Sequence, residues 1–468
     1  MFKSRNLMFL ALIVAITLIF GISGGCASDP APPEGQEAAA TTDDTDDTDA
    51  PEAPPAGNGD IPTITFVTAE SAGTEALARQ IDLYMDYIES VSDRYNVIFD
   101  NSATGDALKS QMRILMVSGA FPDVFWYWGQ ASDSSDFVHS GLLLPVEEFF
   151  AASHFNADDF TNWESMYYFE GSYYAIPVAL SLMGWMANTE IFEEFDLPFP
   201  ETVREIIEMA PILRDGGIIP IATGSMGGNP GHTLIDMFYN QLPGSPEELA
   251  SIIPNSNLDN PNLRQTLELI DEMRLAGVFP DDTVTNGGWD PSVALYDAGM
   301  AALCPTLNSR VTGLSEETIA RTIYIDTPRV EGGVLDMTQT GLSTGLNSIK
   351  INRASWEDPL LQPAILDWVN FYVSDEMYQA RFLNSGWVPN RDVEVDLELV
   401  GETLPLFRAM LDWNNSKPYT MNIMAHCVSI PNAEVWATYQ AELDGFFAGA
   451  ITVDEFINRI QAAITANP

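Results

Sequence analysis

From residue 61 onward the apolar positions switch between two periods. Ile61 to Thr68 alternates and is rich in β-branched residues, which predicts a strand. From Gly73 to about Tyr95, Leu77, Ile81, Leu83, Tyr84, Tyr87, Ile88 and Val91 recur at helical spacing. Asn96 to Phe99 predicts a short strand. Asp106 to Val117 predicts a helix with Leu108, Met112, Leu115 and Met116 on one face, and Phe121 to Trp126 a turn followed by a strand. Strand, helix, strand, helix, strand implies a parallel sheet covered by helices.

After Gly171 the alternation resumes. Tyr174 to Met186 reads as a strand and Thr189 to Phe195 as a short helix. At Pro200–Glu205 a second helix starts: Thr202 can cap the first N–H groups and Glu205, three residues on, can close the box. Gly216-Gly217 ends it before a strand at Ile218–Ala222. Leu263–Ala276 and Pro291–Gly299 are amphipathic helices, and residues 400–468 read as mostly helical, broken at Pro418 and Pro431. No repeat of fixed period is present. Two α/β units, the second interrupted, predict two lobes and a chain that crosses between them more than once.

The first 60 residues have a different pattern. Lys3 and Arg5 precede an apolar run from Leu7 to Phe20, and small residues lead to Cys26. This is the pattern of a secretory signal. A Cys at the cleavage point resembles the bacterial lipoprotein signal, in which the thiol is lipidated, although Ser23 stands where that signal prefers Leu. An ordinary signal and an uncleaved anchor remain the alternatives. Residues 27–60 hold six prolines, ten acidic residues and no basic one, a composition that cannot offset its ordering entropy and predicts a disordered tether. Such a coil spans roughly 30–35 Å.

Charge narrows the function classes. The 468 residues carry 67 Asp+Glu and 20 Lys+Arg, a net −47, and residues 61–468 alone stand at −39. A nucleic-acid binder needs a basic footprint that this chain cannot supply. No second apolar stretch approaches the ~20 residues of a membrane helix, which excludes a polytopic membrane protein. The four histidines are scattered and no Cys/His cluster exists, so no metal or other cofactor is expected. Cys304 and Cys427 could pair or remain free thiols.

Several segments, in order, resemble the extracellular solute-binding proteins of ABC importers, specifically the sugar-binding family that includes maltose-binding protein. They are the helix and "PD" element at Asp106–Phe125, the turn at Gly141–Phe150, Gly171–Pro177, Asn188–Phe192, Pro200–Glu205, Tyr296–Leu303, Thr340–Asn347, Gly386–Asn390 and Thr452–Phe456. Val203 replaces a usual Trp, and Met186-Ala187 replace two tyrosines. The resemblance implies an α/β, two-lobed periplasmic-binding-protein-like fold of type II, with mixed sheets flanked by helices and a hinge between lobes. It gives a signal at 1–25, a lipidated Cys26 and tether over 26–60, lobe 1 at 61–175 and 340–392, and lobe 2 at 176–339 and 393–468. Hinges are expected near Pro177, Gly341 and Asp392. It further implies a monomeric lipoprotein, anchored on the extracytoplasmic face of the cell membrane, that hands a carbohydrate to the transmembrane subunits of a permease.

Sugar sites need flat apolar faces for ring C–H surfaces and polar side chains for hydroxyls. In Phe125–Gln130, alternation puts Trp126 and Trp128 on one side and Tyr127 on the other, with Gln130 following as a hydroxyl partner. The bland alternative is core packing at a strand end. Glu70 and Ser71 follow the first strand; they are cleft candidates or a helix-capping turn. Trp185, Ser225, Trp289, Trp387 and Trp436 are further candidates, with core packing of lobe 2 the alternative for Trp185 and a helix-entry staple capped by Asp290 the alternative for Trp289. Asn308 and Arg310 stand where relatives carry an aromatic platform, and Arg310 could instead salt-bridge or bind a uronic acid.

Two rival readings stand beside this one. A peptide or polyamine binder would share the fold. A secreted glycan-cleaving enzyme would need more than abundant carboxylates. Gly341–Gly345 matches G-x-S-x-G, but a nucleophile elbow needs strand, sharp turn and helix, and Leu346–Ile351 reads as more strand. No enzyme is expected.

Overall fold

A computed structural model describes residues 61–70, 75–244, 258–423, 430 and 432–467. Cys26, the tether, Ser71 and Cys427 lie outside the described residues. Nine strands form one mixed sheet: β1 (Thr63–Val67), β2 (Asn96–Asp100), β3 (Val124–Trp128), β4 (Ile176–Asn188), β5 (Ile219–Ile221), β6 (Ala301–Leu307), β7 (Thr322–Ile325), β8 (Thr340–Ile351) and β9 (Tyr419–Asn422). The order is β2-β1-β3-β8-β4-β6-β5, with β7 on β4 and β9 on β8.

The two long strands run through both halves of this sheet. Residues 347–351 of β8 lie antiparallel to β3, and Ser348 and Ile349 face Pro177 and Ile176 at the start of β4. At the other end, Leu342–Thr344 pair with Met183–Ser181, while the far end of β4 pairs with β6 and β7. The register slips between Thr344 and Ser348. A slip of this kind bends a strand and sharpens its twist, here where the two halves meet. The G-x-S-x-G segment is thus ladder-paired strand, with Ser343 opposite Leu182.

Each half has its own core. One gathers Ile64, Phe66, Tyr84, Leu108, Met112, Phe125 and Ile349 with Trp368 and Tyr372 of helix α8 (Gln362–Tyr372). The other gathers Trp185, Ile206, Met237, Leu267, Leu303, Tyr439 and Phe456. A third cluster joins Met186, Tyr296 and Cys304 to Phe382, Phe407 and Met410. Cys304 is a buried free thiol, and burial raises its pKa. Buried apolar area on this scale is the main stabilising contribution.

The remaining longer helices are α1 (Glu75–Ser90), α2 (Gly105–Ser118), α3 (Ala131–His139), α4 (Val203–Asp215), α5 (Gly231–Tyr239), α6 (Pro261–Leu275), α7 (Trp289–Asp297), α9 (Asp375–Ser385), α10 (Pro405–Asn415), α11 (Ala433–Phe447) and α12 (Val453–Ala466). The expected box at the start of α4 is present: Thr202 Oγ1 accepts from Glu205 N at 3.2 Å, and Glu205 Oε2 accepts from Thr202 N at 3.0 Å. The C-terminal stretch is mostly helical and broken at Pro418, as expected, and just after the break residues 419–422 form β9 in parallel with Thr340–Ser343. Two expectations need correcting. Helix α1 stops at Ser90, short of Tyr95, and residues 91–94 continue as turn, with the Ser90 and Ser92 hydroxyls donating to the carbonyls of Tyr87 and Glu89. Asp290 is no cap: α7 begins at Trp289 and its N-cap is Gly288. Among the described residues, no helix is long and apolar enough to cross a membrane.

Candidate ligand-binding site

Where the two halves face each other lies a cavity of about 650 Å³, within the range of small-molecule sites. Five tryptophans line it: Trp126, Trp128, Trp289, Trp387 and Trp436. Trp126 and Trp128 sit two residues apart on β3, so the pleat turns both rings the same way; their centroids are 4.9 Å apart at 69°. Tyr127, between them, goes to the other face and packs in the first core. Trp387 follows Gly386, whose φ of 67° closes α9 in a left-handed turn that favours glycine, and its ring lies 6.1 Å from Trp126 at 29°. Trp289 opens α7 from a loop that packs tightly: a Cβ on Gly287 would stand 1.9 Å from the Thr283 carbonyl oxygen. Trp436 comes from the first turns of α11, stacked on Tyr439 at 5.7 Å.

A lysine joins the two halves across this wall. Lys109 of α2 puts its ammonium 4.7 Å from the Trp128 ring centroid and 5.8 Å from that of Trp436. Its Nζ is 2.7 Å from Asp133 Oδ1, and Gln130 Nε2 donates to Asp133 Oδ2 at 2.5 Å. A cation held over aromatic faces away from water is attracted by their quadrupoles. A second lysine stands behind Trp128. Lys350 of β8 is fully buried and donates to the Trp128 carbonyl at 2.7 Å and to Ser348 Oγ at 3.0 Å. Burial lowers its pKa to about 7, partly offset by Asp133.

Glu70 also borders the cavity, but its carboxylate is committed. Oε1 lies 3.3 Å from Arg381 Nε and accepts from Tyr372 OH at 3.1 Å, while Tyr84 OH donates to Oε2. Arg381 in turn donates to Tyr84 OH and the Tyr372 carbonyl and stacks 3.8 Å from the Tyr372 ring centroid. Burial raises the pKa of both phenols. Arg310 is ion-paired with Asp290 at the cavity wall.

The structure thus brings Glu70, Trp126, Trp128, Gln130, Trp289, Arg310, Trp387 and Trp436 to one cavity. It does not bring Trp185, Ser225 or Asn308 there. Trp185 is wholly buried in the second core, opposite Pro305 and Ile325. Ser225 donates to Asp444 Oδ1 at 2.6 Å, and the same carboxylate accepts from Gly227 N and Gly228 N, which fixes the turn carrying Asn229. Asn308 is turned inward, accepting from Leu182 N and donating to the Gly386 carbonyl. Sequence reasoning missed Lys109, Asn229, His232 and Gln440, which also line the cavity. One signal was available: the chain has only four lysines, and two of them flank Trp128.

The family described as bacterial extracellular solute-binding protein matches residues 58–402, well over half the chain. The chain belongs to that family. No curated protein matches this solute-binding protein significantly by sequence. Its fold is shared with solved structures of low identity. One, from work on xylan utilization by Caldanaerobius polysaccharolyticus, is 18% identical with a TM-score of 0.71, over 86% of this chain and 99% of that one. A chitin oligosaccharide binding protein is 16% identical with a TM-score of 0.71, over 86% and 98%. The maltose/maltodextrin-binding domain from Bdellovibrio bacteriovorus, bound to maltotriose, is 14% identical with a TM-score of 0.61, over 86% and 99%. The two-lobed α/β architecture expected from sequence is the one these neighbours share, and the family is one of extracellular binding proteins.

Proposed function

We propose that this protein is the receptor of an ABC importer and that the tryptophan-lined cavity binds an oligosaccharide. The observation that carries the reading is the convergence of five indole rings on one 650 Å³ cavity between two separately cored halves. Indole faces cover sugar C–H surfaces, while Gln130, Asn229 and Ser181 at the wall offer hydroxyl partners. The neighbours described with xylan, chitin oligosaccharide and maltotriose support the same ligand class. On this reading the lobes, 61–175 with 340–392 and 176–339 with 393–468, close on ligand by bending β4 and β8. The closed form, a monomer, docks on the permease. Closure acts as a signal only through differential affinity for the two states. Cys26 bears the lipid, and residues 27–60 hold the body clear of the membrane. No catalytic step is involved.

The test is a thermal-shift screen of the protein against oligosaccharides, peptides and polyamines. A ligand at about 100 times its Kd adds about 2.7 kcal/mol, a shift of a few degrees. A shift with one saccharide class, recovered uncleaved, supports the reading. Shifts confined to peptides or polyamines sink the sugar assignment, and cleaved products sink the binding-only one.

A further inference from the structure

The charges around the cavity cancel in pairs. Four charged side chains that line it, Glu70, Lys109, Asp290 and Arg310, are each in contact with an opposite charge. Glu70 has Arg381, Lys109 has Asp133, and Asp290 and Arg310 have each other. The wall itself carries two anions and two cations, where the composition of the chain would give about three to one.

The uncharged polar atoms of the wall carry the argument further. Trp126 Nε1, Trp436 Nε1 and Gln130 Oε1 are buried and, among the described residues, find no hydrogen-bond partner. Two are donors and one is an acceptor. A hydroxyl donates and accepts, so these atoms fit a saccharide; neutral and charged sugars both carry hydroxyls, and the discrimination against charge rests on the ion pairs. A uronate would also have to draw Arg310 away from Asp290, or lie beside that carboxylate unpaired, and an unpaired charge out of water is costly. The negative body repels anions before they arrive.

We infer that the cavity selects an uncharged saccharide and that Asp290 is a specificity-determining residue, because it neutralises Arg310. The inference rests on the saccharide reading and narrows it. Asp290 suits a test because its side chain is 77% exposed, so its removal leaves no buried hole. In Asp290→Asn the Arg310 guanidinium is released, and planar pairing with a carboxylate becomes available to a ligand.

Calorimetry on the full chain uses pairs of probes whose main difference is charge: xylotriose carrying a glucuronic acid branch against the same branch reduced to glucose, and chitotriose with its amines free against acetylated. The neutral member of a pair is expected to bind at least about tenfold more tightly, the scale of one lost charge-assisted hydrogen bond. In Asp290→Asn the gap within the uronate pair narrows by about tenfold or reverses, while the amine pair keeps its order. Equal or tighter binding of a charged member by the unaltered protein overturns the inference and leaves the saccharide reading standing. An unchanged uronate gap in Asp290→Asn, with its melting temperature intact, overturns the role of Asp290. Binding of none of the four probes counts against the saccharide reading, and the inference falls with it.

Discussion

Two ion pairs border the same cavity and differ in what surrounds them. Glu70–Arg381 is enclosed beside the first core, with side chains 4% and 1% exposed, and each partner also bonds to a tyrosine hydroxyl. Every contact it makes belongs to one half of the molecule. Lys109–Asp133 is nearly as buried, but its ammonium lies between Trp128 of one half and Trp436 of the other. The first pair fixes a half; the second spans the cleft. The same chemistry thus serves folding in one place and the site in another, and the neighbours of the pair decide which.

The largest effect is expected from Arg381→Met. Removing one partner of a buried pair leaves an uncompensated charge and costs about 3–5 kcal/mol. Urea unfolding should show that loss, while ligand affinity of the folded fraction changes little. A large affinity loss with small destabilisation would erase the contrast between the pairs. Next is Trp128→Ala. A buried aromatic anchor at a binding site is worth about 2–4 kcal/mol, so Kd should rise by thirtyfold or more, read by calorimetry. Unchanged affinity would remove the wall on which the sugar reading depends.

Lys109 sharpens the comparison further. Lys109→Met should weaken ligand binding by about 1–2 kcal/mol, the strength of a desolvated cation–π contact. It also destabilises the fold, because Asp133 is left buried. The double variant Lys109→Met with Asp133→Asn should recover stability but not affinity. Recovery of both would make Lys109–Asp133 a second structural pair.

How much of this was legible depended on distance along the chain. The Thr202–Glu205 box and the shared face of Trp126 and Trp128 follow from spacings of three and two residues, and both are present. Pairing across long separations was not legible. Nothing local joins Lys109 to Trp436, or Arg310 to Asp290. Trp185 shows another limit. It lies in a central strand that is buried along nearly its whole length, so alternation cannot say which face meets the cavity. Asn308 marks a third, since a single turn carries Asn308 inward and Ser309 and Arg310 to the cavity wall. Sequence places a loop at the cleft, and only the packing tells which of its side chains arrive.

The smallest effect concerns the other lysine, the one behind Trp128 that donates to its carbonyl. Burial depresses the pKa of Lys350 to about 7, well below its unfolded value. Between those two values the unfolded chain binds more protons than the folded one, so stability rises with pH across the window. At pH values below about 7 both states are protonated and the burial penalty is present in full. The gain from about pH 7 to about pH 8 is about 1 kcal/mol. Because tyrosines with raised pKa values titrate at higher pH and act in the opposite direction, the comparison belongs below about pH 9 and against Lys350→Met. Unfolding free energy of the protein minus that of the variant should climb through this range. A flat difference would mean that Lys350 stays charged on the Trp128 carbonyl throughout.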